Sequence, residues 1–185
     1  PYAEKVNSYL VEVYMNTRSY DAALKSIDRI AKPSAQILEA KQKILFQLGT
    51  QSFANADFEQ ALKYLNQSIA IGQYNRQTKA DAYYWCGESY YRLNRMVEAA
   101  RDFNAYLQLN TQPNNEMYAL ANYNLGYIAF HRKDYTQASN YFQKYIQLEK
   151  GENTTALADA YNRIGDCHLH VRNFEEAKQY YSQAE

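Results

Sequence analysis

The chain has 185 residues, one domain's worth, and its 20 basic and 20 acidic side chains cancel, so the charge balance gives no pull toward nucleic acid or an anionic membrane. Two cysteines, Cys86 and Cys167, exclude a disulfide framework and a paired-cysteine zinc site, and no apolar run nears the roughly 18 residues of a membrane span. Six glycines and three prolines against 20 tyrosines argue for helix and against a many-turned β fold.

Taken in chain order, apolar residues at helical spacing predict a first helix over 4–16 with Val11 and a second over 20–31 with Tyr20, Ala23 and Ile27. Ser34, after Pro33, is N-cap chemistry for a third helix over 35–54 that carries Gly49. A fourth over 58–71 holds Phe58, Ala61 and Leu65 and meets Gly72 where it is expected to end. A fifth over 76–93 contains the aromatic stretch "YWCGESYY", and the polar turn "LNR" leads to a sixth over 96–109 with Met96, Ala99 and Phe103. Asn114 and Asn115, after Pro113, start a seventh over 115–132. An eighth over 135–148 follows "RKD" and ends before Gly151. Asn153 and Thr154 open a ninth over 154–171, and "VRN" leads to a tenth over 174–185. The last residues, "EEAKQYYSQAE", stop inside a helical pattern and there is no initiator Met, so the chain reads as a segment of a longer one.

These helices repeat as pairs. Gly49, Gly87, Gly126 and Gly165 are 38, 39 and 39 residues apart, and an alanine follows each glycine by 12 residues: Ala61, Ala99, Ala138, Ala177. The register extends back 38 residues to Val11 and Ala23. Five units result, near 4–41, 42–79, 80–118, 119–157 and 158–185, the last cut short. Antiparallel helices approach closely only where neither carries a large side chain, so the glycine of each first helix is expected to meet the alanine of each second helix. Ile27, Leu65, Phe103, Phe142 and Tyr181 form the bulky column that fills the remaining space. Each pair leaves an apolar face for the next to cover.

The same register reads the reactive-looking octapeptide. Cys86 shares a column with Leu10, Leu48, Leu125 and Ile164, which makes it a core thiol and not a nucleophile. Tyr84, Glu88 and Tyr91, at i, i+4 and i+7, form a separate stripe. The equivalent stripes are Ser8, Glu12, Met15; Phe46, Thr50, Phe53; Tyr123, Tyr127, Phe130; and Asn162, Asp166, Leu169. His168 and His170 point to different sides of a helix and cannot share a metal, and Cys167 with His170 is half a metal site with no second half. No phosphate loop, Ser-His-Asp set or carboxylate pair is present, so no catalytic residue, metal or cofactor is expected.

"YWCGESYYRLNRMVEAARDF" and "YNLGYIAFHRKDYTQASNYF" carry, in order, the aromatic, small, Tyr, Ala and Phe columns of the tetratricopeptide repeat (TPR), and the resemblance covers essentially the whole chain. It implies an all-α, right-handed superhelix of stacked antiparallel helix pairs, a single solenoid that serves as a protein–protein interaction scaffold. The units are four or five residues longer than the usual 34. In that they are similar to TPR segments of bacterial periplasmic and outer-membrane-associated proteins, which implies a cell-envelope setting. The resemblance also implies that the first-helix stripes line a concave groove holding a peptide. The groove residues are then Phe46, Phe53, Tyr84, Glu88, Tyr91, Tyr123, Tyr127 and Phe130, with seven aromatics along one surface. The implied partner is a protein or peptide, with neither nucleic acid nor membrane insertion. The cationic carboxylate clamp of chaperone-binding members is not matched, because the stripe is aromatic and mildly acidic. Two other readings stand beside this one: a structural segment whose stripe contacts the same chain, and a regulatory appendage of an enzyme.

Overall fold

In the computed structural model, which describes residues 2–185, the described residues form ten α-helices in five consecutive pairs and no strand. They divide into two compact units, the first ending at Thr111 and the second beginning at Gln112. The first unit holds α1 (Tyr2–Asn16), α2 (Tyr20–Asp28), α3 (Ala35–Ala54), α4 (Phe58–Ala70), α5 (Arg76–Arg92) and α6 (Met96–Leu109). The second holds α7 (Glu116–His131), α8 (Tyr135–Leu148), α9 (Thr154–His170) and α10 (Phe174–Ala184). The one helix that falls clearly short of expectation is α2. Its last turn tightens, with Arg29 and Ile30 donating to Ser26 and Ile27, and Pro33 disfavours helix at the residue before it.

Asx and Ser side chains cap six of the helices, three of them where the polar spacing predicts. Ser34, Asn115 and Asn153 accept from the amides of Ile37, Tyr118 and Ala156, and Asp57, Asn75 and Asp134 do the same for α4, α5 and α8. Gly72 does not cap α4 but begins a short 3₁₀ turn, Gly72–Tyr74, where a Cβ would strike the Lys79 side chain at 2.5 Å. The turn inside every pair is the same. One residue takes a left-handed φ between 56° and 62°, at Arg18, Ala56, Asn94, Lys133 and Arg172. The next amide reaches back five residues to a helix carbonyl, as Arg95 does to Tyr90 at 2.8 Å.

The space at each glycine involves a residue beyond the alanine expected from the sequence. The alanines are buried, but the space vacated by each glycine is filled by the bulky residue one turn beyond the alanine. A Cβ at Gly49 would lie 2.6 Å from Leu65, at Gly87 2.7 Å from Phe103, at Gly126 2.8 Å from Phe142 and at Gly165 2.7 Å from Tyr181. In the first pair the same two columns hold Val11 and Ile27, both buried. A large side chain and a glycine therefore exchange volume across the pair.

Polar ties link successive pairs in the first unit. Gln42, fully buried, donates from Nε2 to the Asn75 carbonyl at 2.8 Å and accepts the Asn75 amide at 3.0 Å. Ser68 donates to the Gln42 carbonyl at 2.8 Å. A buried side-chain amide that satisfies both backbone groups of the α5 N-cap residue fixes where α5 begins.

Cys86 and Cys167 are buried free thiols. Burial pushes the Cys86 thiol well above its ordinary value, helped by the Asp102 carboxylate, and raises Cys167 to about 11. A buried, electronegative setting suppresses the reactive thiolate. Cys86 is therefore expected to resist a maleimide probe in the native protein and to react on unfolding, with denaturant midpoint and labelling midpoint coinciding. Rapid labelling under native conditions would contradict its place in the core.

Candidate functional site

The first-helix stripes of the first unit lie on α1, α3 and α5. On α1, Ser8, Glu12 and Met15 line an open cleft of about 850 Å³ together with Gln36, Ile37 and Ala40 of α3. On α3, Phe46 and Phe53 are half-buried. Phe53 meets the edges of Phe58 and Trp85 at 5.2 and 4.9 Å, and the Arg92 guanidinium lies over its ring at 5.7 Å. On α5, Glu88 and Tyr91 are half-buried. Burial, and then the charge of Glu88, raises the Tyr91 hydroxyl above its ordinary value.

Tyr84 departs from expectation. Its side chain is only 3% exposed and is closed in by Trp85, Phe103 and Tyr106 at ring distances of 5.2, 5.8 and 5.3 Å. The reason is Gly87: with no side chain there, Phe103 moves in against α5 and Tyr84 packs on it. Its hydroxyl donates to Glu88 Oε1 at 3.1 Å. Tyr84 is thus a core residue that supports the stripe from beneath. Trp85, half-buried beside Phe53, was not in the predicted set. Its signal was the i+3 spacing to Glu88, one residue round from the stripe that was read.

In the second unit, Tyr123, Tyr127 and Phe130 of α7 are all half-buried and pack on the core. The Tyr123 ring meets Phe142 and Tyr145 at 5.9 and 4.9 Å, and Tyr127 stands perpendicular to Phe142 at 5.2 Å. Both hydroxyls donate to one oxygen, Oδ2 of Asp159 on α9, Tyr123 at 2.7 Å. Arg163 lies 3.5 Å from the other Asp159 oxygen and pairs with Asp166 at 2.7 Å, while Tyr181 donates to Asp166 at 2.6 Å. Asp166, a stripe position of α9, is therefore neutralised locally. The Asp159–Arg163–Asp166 spacing repeats the i, i+4, i+7 rule and was the missed signal. Phe130 packs edge-on to Tyr135 at 5.5 Å, and Tyr135 stacks on His170 at 4.3 Å.

Among the described residues no group of His, Cys, Asp and Glu is placed to hold a metal ion, and no helix is long and apolar enough to cross a membrane. What the surface offers is half-buried aromatic area with a few carboxylates, which suits a macromolecular contact more than bond chemistry.

Models of the tetratricopeptide repeat match residues 46–114 and 117–185. The chain belongs to the tetratricopeptide repeat family. No curated protein matches the sequence, but solved structures share the TPR fold along nearly all of it. The crystal structure of MamA matches with a TM-score of 0.65 at 19% identity, covering 98% of this chain and 90% of that one. BtubC (BKLC) from P. vanneervenii matches with a TM-score of 0.67 at 14% identity, covering 96% and 76%. YrrB, described as a TPR protein with an unusual peptide-binding site, matches with a TM-score of 0.64 at 17% identity, covering 94% and 80%. Identities this low speak for fold alone. As a TPR protein the chain is a protein-interaction scaffold, of a family that is in general non-catalytic and binds protein or peptide partners.

Proposed function

We propose that this TPR segment is a non-catalytic module that binds an extended or helical peptide segment of a partner protein on its first-helix stripes. In the first unit the contact surface is Phe46, Phe53, Glu88 and Tyr91, continuing toward the cleft beside Glu12 and Met15. Tyr123, Tyr127 and Phe130 offer the corresponding surface in the second. The observation that carries this reading is the row of half-buried rings at equivalent stripe positions of α3 and α5. They hold large apolar area at the surface on rigid helices, and such area pays little ordering entropy on binding. That one structural neighbour is described by its peptide-binding site supports it.

The test is titration of a peptide selected from an array against surface variants. Phe46→Ala and Tyr91→Ala are each expected to cost about 1–2 kcal/mol of affinity. Lys63→Ala, exposed on α4 away from the stripe, is expected to cost nothing measurable. Added salt is expected to weaken binding only slightly, because area and not charge pairing carries it. Unchanged affinity in both aromatic variants, or collapse in modest salt, would remove the stripe from consideration.

A second exposed apolar face lies on α1, apart from the stripe. Val6 is 41% exposed on α1, alongside Tyr2, Tyr9 and Val13, whereas its equivalents Ile44, Ala82, Ala121 and Ala160 are fully buried. A face that later pairs cover is left open on the first, and it becomes the binding surface of interest if the stripe variants leave affinity untouched.

A further inference from the structure

A tyrosine in a core position must find a partner for its hydroxyl, and Tyr84 finds Glu88 one helical turn on, at 3.1 Å. The donor is immobile because the ring is fixed between Trp85, Phe103 and Tyr106. A glutamate on a helix surface otherwise samples many rotamers. A hydrogen bond from a fixed donor narrows that set and holds the carboxylate on the stripe, three residues before Tyr91 and three after Trp85. Both of those rings are half-buried. A carboxylate beside aromatic rings is the chemistry that recognises an organic cation. One ring of the group already takes a cation from within the chain, since the Arg92 guanidinium lies over Phe53 at 5.7 Å.

We infer that Glu88, aimed by the buried Tyr84 hydroxyl, selects a single lysine or arginine side chain set among the aromatic and aliphatic residues of the bound peptide. The inference rests on the peptide-binding reading above and adds to it a specificity position. It also changes the role of Tyr84, which acts through Glu88 as a positioning residue and does not touch the ligand. Charge complementarity at one position is compatible with weak overall salt dependence, because one ion pair beside a large apolar contact adds a small term.

The probes are immobilised peptide pools whose flanking positions are randomised over aromatic and aliphatic residues. One central position is fixed as lysine, norleucine or glutamate. The parent protein is expected to hold the lysine pool about threefold to tenfold more tightly than the norleucine pool and to reject the glutamate pool. Glu88→Gln is expected to bring the lysine-to-norleucine ratio to about one. Tyr84→Phe, which keeps the buried ring, is expected to lower the ratio toward that of Glu88→Gln while norleucine affinity stays that of the parent, the fold being checked by its melting temperature. A merely structural role for Tyr84 would lower affinity for all pools alike and would overturn the positioning role. A ratio of one in the parent, with binding still sensitive to Tyr91→Ala, would overturn the selection and leave the aromatic stripe standing. A parent that binds none of the pools would overturn the stripe reading, and this inference with it.

Discussion

Gly126→Leu is expected to destabilise the second unit by about 1–3 kcal/mol or more, and to do so through Phe142. A Cβ at this position would sit 2.8–2.9 Å from Phe142 Cε1, Cδ1 and Cζ, inside any real carbon contact. The ring cannot swing clear cheaply, because Phe142 is fully buried and Tyr123 and Tyr127 stand edge-on to it at 5.9 and 5.2 Å. Leucine adds three further carbons to the clash. Phe142→Ala alone is expected to cost about 3–5 kcal/mol as a cavity. The double variant is expected to be clearly more stable than the sum of the two losses, because the leucine then occupies part of the vacated space. Thermal or denaturant unfolding of the three variants measures this. An unchanged midpoint for Gly126→Leu, or strict additivity in the double variant, would rule out the volume exchange. In the first pair Val11 stands in the glycine column and Ile27, smaller than phenylalanine, in the bulky column, both buried.

That exchange also shows where the sequence was legible and where it was not. The glycine, alanine and bulky columns were visible as spacings, and they located the helix pairs because each column has one steric role in every unit. That the bulky column faces the missing Cβ of each glycine was not legible, because spacing tells which residues share a role, not which atoms come nearest. The side chain that enters a glycine gap is the long one that can reach it. Tyr84 was misplaced for the same cause: at the edge of a helical stripe a few tens of degrees decide between groove and core, and the gap at Gly87 drew Phe103 and then Tyr84 inward. The polar turns that hold Asn94, Lys133 and Arg172 were legible, but the left-handed conformation there and at Arg18 and Ala56 was not, since a single αL residue is tolerated without glycine when the surrounding bonds fix it. The Gln42–Asn75 tie was equally silent, because a lone glutamine on a helix carries no pattern. Asp159 was within reach of the stripe rule, but its meaning depended on two tyrosines 36 and 32 residues away.

The second unit is also expected to unfold in alkali, over a window set by its tyrosines. Tyr127, Tyr145 and Tyr181 are each pushed up to about 12 from an ordinary 10. Burial is the largest cause for all three. The next contributions are the hydrogen bond to Asp159 for Tyr127, the charge of Glu149 for Tyr145 and the hydrogen bond to Asp166 for Tyr181. Tyr123 is driven further in the same direction by burial and Asp159. In every case the neutral phenol is the form the fold accommodates, because a phenolate would face a carboxylate it now donates to. The unfolded chain begins to release these protons near about 10, while the folded unit keeps them to about 12. Below pH 10 the shifts contribute their full stabilisation; as pH rises from about 10 to about 12 the unfolded state loses protons that the native state retains, and stability falls. In the first unit Tyr91 is raised in the same direction, by burial and Glu88. Tyrosinate absorbance is therefore expected to rise cooperatively in this window, together with loss of helix signal and faster amide exchange in α7–α10. Tyr127→Phe combined with Tyr181→Phe removes two of the titrating groups and is expected to make the fall of stability with pH shallower. Tyrosines that titrate smoothly near 10 with the helix signal intact would mean that these hydroxyls are not held in the Asp159 and Asp166 network.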